Sequence, residues 1–150
     1  MTVERQIDIL VVDDDEGHSE LVRRHLRRTG ISNPIIILNS GSDALDYVFR
    51  EGRFATRPPS HLMILLDINM PGGIDGVEVL RRIKADPVRQ RIPIVMLTTS
   101  DDPREVERCY ALGCNVYMPK PVEPLAFVEA LNRLGLFIAV VTVPSEAPPA

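Results

Sequence analysis

The sequence predicts an α/β protein built on a doubly wound parallel sheet of five strands. Short apolar runs alternate five times with longer segments whose apolar residues recur at helical spacing. The short runs are apolar at nearly every position, which is typical of strands that helices cover on both faces of a sheet. Right-handed crossovers would then place the helices on either side of that sheet.

The first three predicted elements are a strand, a helix and a strand. IDILVV at 7–12 has the length and the β-branched content of a strand. The segment 16–30 repeats apolar residues at helical spacing, and Gly30 favours termination of the helix there. PIIIL at 34–38 has the composition of a second strand.

The next three predicted elements are a helix, a strand and a helix. The segment 42–52 places its apolar residues on one helical face, and Ser42 is a suitable N-cap. LMILLD at 62–67 predicts the third strand. GVEVLRRIKAD at 76–86 predicts the third helix.

The last four predicted elements complete the (βα)₅ pattern. IPIVMLT at 92–98 and NVYM at 115–118 predict the fourth and fifth strands. The fourth helix is predicted at 102–113, with Pro103 near its start, and the fifth at 123–135. One domain at 1–135 would hold all ten elements.

Residues 136–150 are predicted to form an extension outside the sheet domain. LFIAVVTVP continues the apolar pattern, and an exposed run of this kind needs a covering surface. It can lengthen the fifth helix and pack on its own domain, or pair as a strand with a second chain. SEAPPA is predicted to end the chain as a disordered tip.

Composition and charge disfavour several classes of function. The chain has 150 residues, a formal net charge of −4 and a pI near 5.4, which disfavours a nucleic-acid-binding surface. No stretch approaches the length of a membrane span, and the N-terminus lacks the regions of a signal peptide, so we expect a cytoplasmic protein. Cys109 and Cys114 are expected to be small buried thiols. His18, His25 and His61 show no spacing typical of a ligand set.

Polar residues stand at the carboxyl ends of four predicted strands, where doubly wound sheets bind ligands. They are Asp13, Asp14 and Asp15 after the first strand, Asp67 in the third, Thr98 in the fourth and Lys120 after the fifth. Clustered carboxylates stay ionised together only beside a cation, and a set of oxygen ligands favours Mg²⁺ over zinc. Alternatively, the first three acids simply begin a helix, but that account leaves Asp67 and Lys120 unexplained.

Such a cluster can perform phosphoryl transfer. A carboxylate beside Mg²⁺ can attack a phosphoryl group and form an aspartyl phosphate. The metal would offset the charge of the nucleophile and the phosphoryl oxygens, while Thr98 donates to one oxygen and Lys120 pairs with another.

The motifs VVDDD, LLDINMPG, VMLTTS and YMPKP, in this order at strand ends, resemble the receiver domains of two-component response regulators. The resemblance spans 7–134 and implies a flavodoxin-like strand order of 2-1-3-4-5. It implies that Asp67 accepts the phosphoryl group. It also implies that Asp13, Asp14 and Asp67, with the backbone carbonyl of Asn69, bind Mg²⁺.

The same resemblance assigns roles to the residues after the fourth and fifth strands. Thr98 would be the switch hydroxyl that senses the phosphoryl group, and Tyr117 the aromatic side chain that moves with it. Lys120 would pair with the phosphate, and the bond from Lys120 to Pro121 would be cis. Since no output domain follows, the signal would leave through protein contact.

Further motifs resemble a subgroup of single-domain regulators that pair with phytochrome-type histidine kinases. These are REG-x-F, IPIVMLTTS and a tail ending VTVP. The subgroup implies a histidine kinase partner such as a bacteriophytochrome. It also implies a homodimer formed through the fourth helix, the fifth strand, the fifth helix and the tail. The turn NMPGGIDG is one residue longer than usual, and Thr99 stands where alanine is common.

The expected function is therefore a stand-alone phosphoacceptor. It would promote its own phosphorylation and slow dephosphorylation but turn over no external substrate, so we do not expect an enzyme. A phosphatase with Asp67 as nucleophile is disfavoured, because such enzymes commonly carry a second acid where Asn69 stands. A receiver-like scaffold that takes no phosphate is a further alternative.

Overall fold

Five strands and five helices alternate along the chain in the computed structural model, which describes residues 7–99 and 102–133. The strands are β1 (Ile7–Val12), β2 (Ile35–Leu38), β3 (His61–Asp67), β4 (Ile94–Thr98) and β5 (Val116–Pro119). The helices are α1 (Glu16–Arg28), α2 (Gly41–Phe49), α3 (Gly76–Ala85), α4 (Pro103–Ala111) and α5 (Pro124–Arg133). The predicted extension at 136–150 lies outside the described residues.

All five strands are parallel and lie in the order β2-β1-β3-β4-β5, which confirms the predicted topology. In the register of neighbouring strands, Val12 pairs with Leu66, and Asp67 pairs with Leu97. The carboxyl ends of β1, β3 and β4 therefore meet at one edge of the sheet.

The sheet is covered by helices on both faces, as its continuous apolar strands predicted. On one face, α2, α3 and α4 pack over side chains such as Leu10 and Leu66. On the other face, α1 and α5 pack over Ile9 and Leu65, and Phe127 is fully buried there. Two dry apolar layers thus hold the central strands in place.

A glycine at the start of α3 lets this helix approach the end of β3. A Cβ atom at Gly76 would lie 2.0 Å from the carbonyl oxygen of Asp67, a distance that no side chain permits. The Gly76 N–H donates to the carbonyl of Ile68, 3.0 Å away. The backbone that carries Asp67 is therefore clamped by the first turn of α3.

Helix α2 departs from its predicted bounds. The N-cap is Ser40, whose side chain accepts from the Asp43 N–H, and the prediction of Ser42 was wrong. Gly41 already lies in the helix, where a Cβ would come 2.4 Å from the Ile74 carbonyl oxygen. The helix ends at Phe49 because Arg50 adopts a left-handed conformation with φ of 57°. The other predicted bounds agree to within two residues wherever both ends are described.

The remaining expectations concern thiols and membrane helices. Cys109 and Cys114 are buried and free, and burial raises the pKa of Cys114 to about 12. Within residues 7–99 and 102–133, no helix has the length and apolar character needed to cross a membrane.

Candidate functional site at the carboxyl edge of the sheet

Three carboxylates meet where β1 and β3 end. Asp13 follows β1 and is fully buried, Asp67 ends β3 with 3% of its surface exposed, and Asp14 faces solvent. One carboxylate oxygen from each lies within 4.8 Å of the others. The predicted acidic cluster is therefore assembled by the fold.

A single ammonium group faces the two buried carboxylates. Lys120 Nζ lies 3.1 Å from Asp13 Oδ2 and 3.3 Å from Asp67 Oδ2. The Lys120 N–H donates to the Thr98 carbonyl at 2.8 Å, and its bond to Pro121 is cis. The lysine side chain thus lies across the ends of β3 and β1, where it contacts both carboxylates.

The two buried carboxyls differ in pKa because their neighbouring charges and hydrogen-bond donors differ. Burial, and then the charge of Asp13, raise the pKa of Asp67 to about 6, although Lys120 and the Asn69 N–H oppose the rise. Burial also acts on Asp13, but donors from His18, Asp15 and Lys120 outweigh it and hold the pKa at about 2. Asp67 thus receives less stabilisation of its negative charge from neighbouring donors than Asp13 does.

The donor set fits a hard divalent cation. The clustered ligand atoms are all carboxylate oxygens, and one ammonium cannot neutralise three carboxylates. A cation there would remove the repulsion that raises the Asp67 pKa. The Asn69 backbone donates its N–H to Asp67, and coordination by the Asn69 carbonyl stays a prediction.

A hydroxyl pair near the cluster shares one acceptor. Thr98 is buried at the end of β4, and its Oγ1 donates to Glu105 Oε1 at 3.5 Å. The Tyr117 hydroxyl donates to the same oxygen at 3.2 Å. Burial raises the pKa of Tyr117 to about 12, so this hydroxyl keeps its proton. Glu105 on α4 therefore connects the two predicted switch residues.

Sequence reasoning missed Glu105, because its partners lie on β4 and β5 and nothing in the spacing along α4 marks it.

His18 was also missed, because the spacing of the three histidines gave no sign of its contact with Asp13. Asp15 caps α1 by accepting from the His18 N–H, which turns the first helical residues back toward the end of β1. His18 Nδ1 consequently lies 2.5 Å from Asp13 Oδ2. A local signal did exist, since the first turn of a helix that directly follows a strand borders the strand end. His25 bonds instead to the Val122 carbonyl.

Comparison with known proteins identifies the family. The family model for the response regulator receiver domain matches residues 9–132. The chain belongs to this family. Receiver domains are components of two-component systems, and phosphorylation on an aspartate is general in this family.

This receiver domain is similar to other response regulators, two of which are named as bacteriophytochrome response regulators. The response regulator Rcp1 of Synechocystis is 40% identical over 112 residues, which are 75% of each chain. The solved bacteriophytochrome response regulator RtBRR is 41% identical with a TM-score of 0.82, covering 96% of this chain and 85% of that one. AtBRR is 34% identical with a TM-score of 0.82, covering 92% and 99%. The similarity thus extends to phytochrome-related regulators.

Replacing the Asp67 carboxylate should stabilise the metal-free domain at neutral pH. The pKa of Asp67 is raised from 3.8 to about 6, so the folded state loses stability as pH rises through that window. We expect Asp67→Asn to increase the free energy of unfolding by about 1–3 kcal/mol at pH 7.5, measured by urea denaturation in EDTA. The gain should shrink progressively below pH 6. An equal gain at pH 4.5 and pH 7.5 would contradict charge as its source.

Proposed function

We propose that this receiver domain accepts a phosphoryl group from a histidine kinase onto Asp67 in a reaction that requires Mg²⁺. The observation that carries the proposal is the buried Asp67 carboxylate, held beside Asp13, Asp14 and the Lys120 ammonium. The similarity to Rcp1 and to bacteriophytochrome response regulators supports a kinase of the phytochrome type. One solved relative is a Mn²⁺-bound form of Rcp1, which supports a divalent cation.

The mechanism follows from the geometry of the side chains. An Asp67 carboxylate oxygen attacks phosphorus and the P–N bond of the kinase phosphohistidine breaks. The electron pair of that bond returns to the ring nitrogen, and the histidine leaves as neutral imidazole because its other ring nitrogen carries a proton. Lys120, already 3.3 Å from Asp67 Oδ2, pairs with a phosphoryl oxygen. Mg²⁺ bound by Asp13, Asp14, Asp67 and the Asn69 carbonyl would neutralise charge between nucleophile and phosphoryl group. The domain turns over no external substrate and is not an enzyme in that sense.

Intact-mass measurement tests phosphoryl acceptance. We expect the wild type to gain one phosphoryl group from acetyl phosphate with Mg²⁺ and none with EDTA. Asp67→Asn should gain none under either condition, because it lacks the nucleophile. Asp43→Asn replaces a carboxylate that pairs with Arg53 on the surface, and it should behave as wild type.

If the wild type stays unmodified, a phosphorylated phytochrome-type kinase domain serves as the second donor. Failure with both donors would favour the receiver-like scaffold over the phosphoacceptor.

The switch proposal rests on the shared acceptor. Before phosphorylation, Glu105 holds the hydroxyls of Thr98 and Tyr117. Movement of Thr98 toward the phosphoryl group would break its bond to Glu105 and change the position of Tyr117. The surface formed by α4 and β5 would then differ between the two states, as a biased two-state equilibrium requires.

Removing Glu105 should ease this movement. We expect Glu105→Ala to accelerate phosphorylation by acetyl phosphate about two- to fivefold, because one hydrogen bond contributes about 0.5–1 kcal/mol. Time courses of intact mass give the rates. Glu107→Ala on the exposed face of α4 is the control and should match wild type. Equal phosphorylation rates for all three proteins would contradict the proposed role of Glu105.

We also propose a cytoplasmic homodimer that binds neither nucleic acid nor membrane, with α4, β5, α5 and the 136–150 tail forming the dimer contact. Tyr110 on α4 and Leu125 on α5 support this surface, since they are 48% and 80% exposed. The tail supplies a further apolar run. The net charge of −4 agrees with the absence of a nucleic-acid partner.

Mass in solution tests the dimer. We expect light scattering to report a dimer for the full chain and a shift toward monomer after deletion of residues 136–150, because the apolar contact is lost. Leu125→Ser should also weaken the dimer. Arg53→Ser is the control and should not, because Arg53 follows α2 and lies outside the proposed contact. A dimer that is unchanged by the deletion would remove the tail from the interface.

A further inference from the structure

The imidazole of His18 is packed against a carboxylate of the proposed cation site. Its side chain is only 9% exposed, and Nδ1 lies 2.5 Å from Asp13 Oδ2. A carboxylate only accepts hydrogen bonds, so in this contact the shared hydrogen belongs to Nδ1 of His18.

Within the described part of the chain, this is the one hydrogen bond of the His18 ring. Its other nitrogen, Nε2, is buried with no hydrogen-bond partner there. A side chain that only filled the core would not need a ring with one nitrogen bonded to a carboxylate and the other nitrogen buried without a partner, because an unsatisfied buried polar atom is unfavourable. The contact with Asp13 therefore accounts for an imidazole at this position.

Three donors together define the orientation of the Asp13 carboxylate. The Asp15 N–H donates to Oδ1 at 2.9 Å, while His18 and Lys120 both reach Oδ2. Only Lys120 has a competing task, because it also lies 3.3 Å from Asp67 Oδ2. If Lys120 turns toward a phosphoryl group on Asp67, His18 and the Asp15 N–H still hold Asp13.

We propose that His18 is a positioning residue for the cation site: its Nδ1–H orients Asp13 toward a divalent cation and leaves Lys120 available to the phosphoryl group. This inference rests on the proposed function. His18 itself is not a ligand here, since the clustered donors within the described residues are Asp13, Asp14 and Asp67. Loss of such an outer partner typically weakens metal binding about 10- to 100-fold.

Three substitutions separate the Nδ1 donor from the bulk of the ring. His18→Asn places an amide N–H where Nδ1 stands, so it should retain the bond to Asp13. His18→Gln reaches instead to the place of Nε2, and His18→Leu keeps apolar bulk without a donor. His25→Leu is the matched control, because it removes an imidazole from the same helix whose Nδ1 contacts the Val122 carbonyl at 3.0 Å.

Cation binding is measured on the full chain without any phosphodonor. Electron paramagnetic resonance counts free Mn²⁺ during a titration, and competition with Mg²⁺ gives the Mg²⁺ affinity. We expect wild type, His18→Asn and His25→Leu to bind Mn²⁺ equally within about twofold. His18→Leu and His18→Gln should bind about 10-fold more weakly or worse. Thermal unfolding by circular dichroism verifies that each variant is folded, and ¹⁵N NMR should show a protonated Nδ1 on His18 in the wild type.

The outcomes separate this inference from the proposed function. Wild-type binding that is unchanged in folded His18→Leu and His18→Gln overturns the positioning role alone. A folded His18→Asn as weak as His18→Leu, or an unprotonated Nδ1, also overturns it. Failure of the wild type to bind either cation overturns both proposals. Cation binding with the expected variant pattern, but without phosphorylation of Asp67, supports the His18 role and rejects the phosphoacceptor.

Discussion

Repulsion between buried carboxylates at one edge of the sheet is the constraint that shapes this site. Asp13 directly follows β1 and Asp67 ends the adjacent parallel strand β3, so strand pairing holds their side chains together despite the repulsion between their charges. Among the residues described, Lys120 is the one cation that pairs with both of them. The fold therefore keeps an excess of negative charge in a buried place, and a divalent cation would neutralise it. Burial and this excess together raise the pKa of Asp67 to about 6.

The apolar layers and the close approach of α3 make this constraint rigid. Helices cover both faces of the sheet, and Gly76 lets the first turn of α3 press against the backbone of Asp67. Charges in a dry and rigid setting interact more strongly than they do in water. Thr98 ends the neighbouring strand β4 at this edge, and its hydroxyl shares the acceptor Glu105 Oε1 with the Tyr117 hydroxyl.

The hydrogen-bond donors around Asp13 and Asp67 give the two carboxylates different pKa values. Asp13 receives three donors and stays ionised, while Asp67 retains a raised pKa and the weaker share of Lys120. In the proposed function, Asp13 would serve as a cation ligand, and Asp67 would be the carboxylate that reacts. His18 contributes to this difference because it serves Asp13 alone.

The sequence by itself determined the alternation of strands and helices, the burial of both sheet faces and the residues at the strand ends, because apolar periodicity and strand termination are local properties. It also contained the family motifs that place Asp13, Asp67 and Lys120 at one edge. Tertiary packing decided the rest. Ser40 rather than Ser42 caps α2, and Gly41 lies in the helix at a place where a Cβ would clash with the Ile74 carbonyl oxygen. The contacts of His18 and Glu105 join separate elements of the fold. The spacing of residues along one helix does not predict which residues of other elements it will contact.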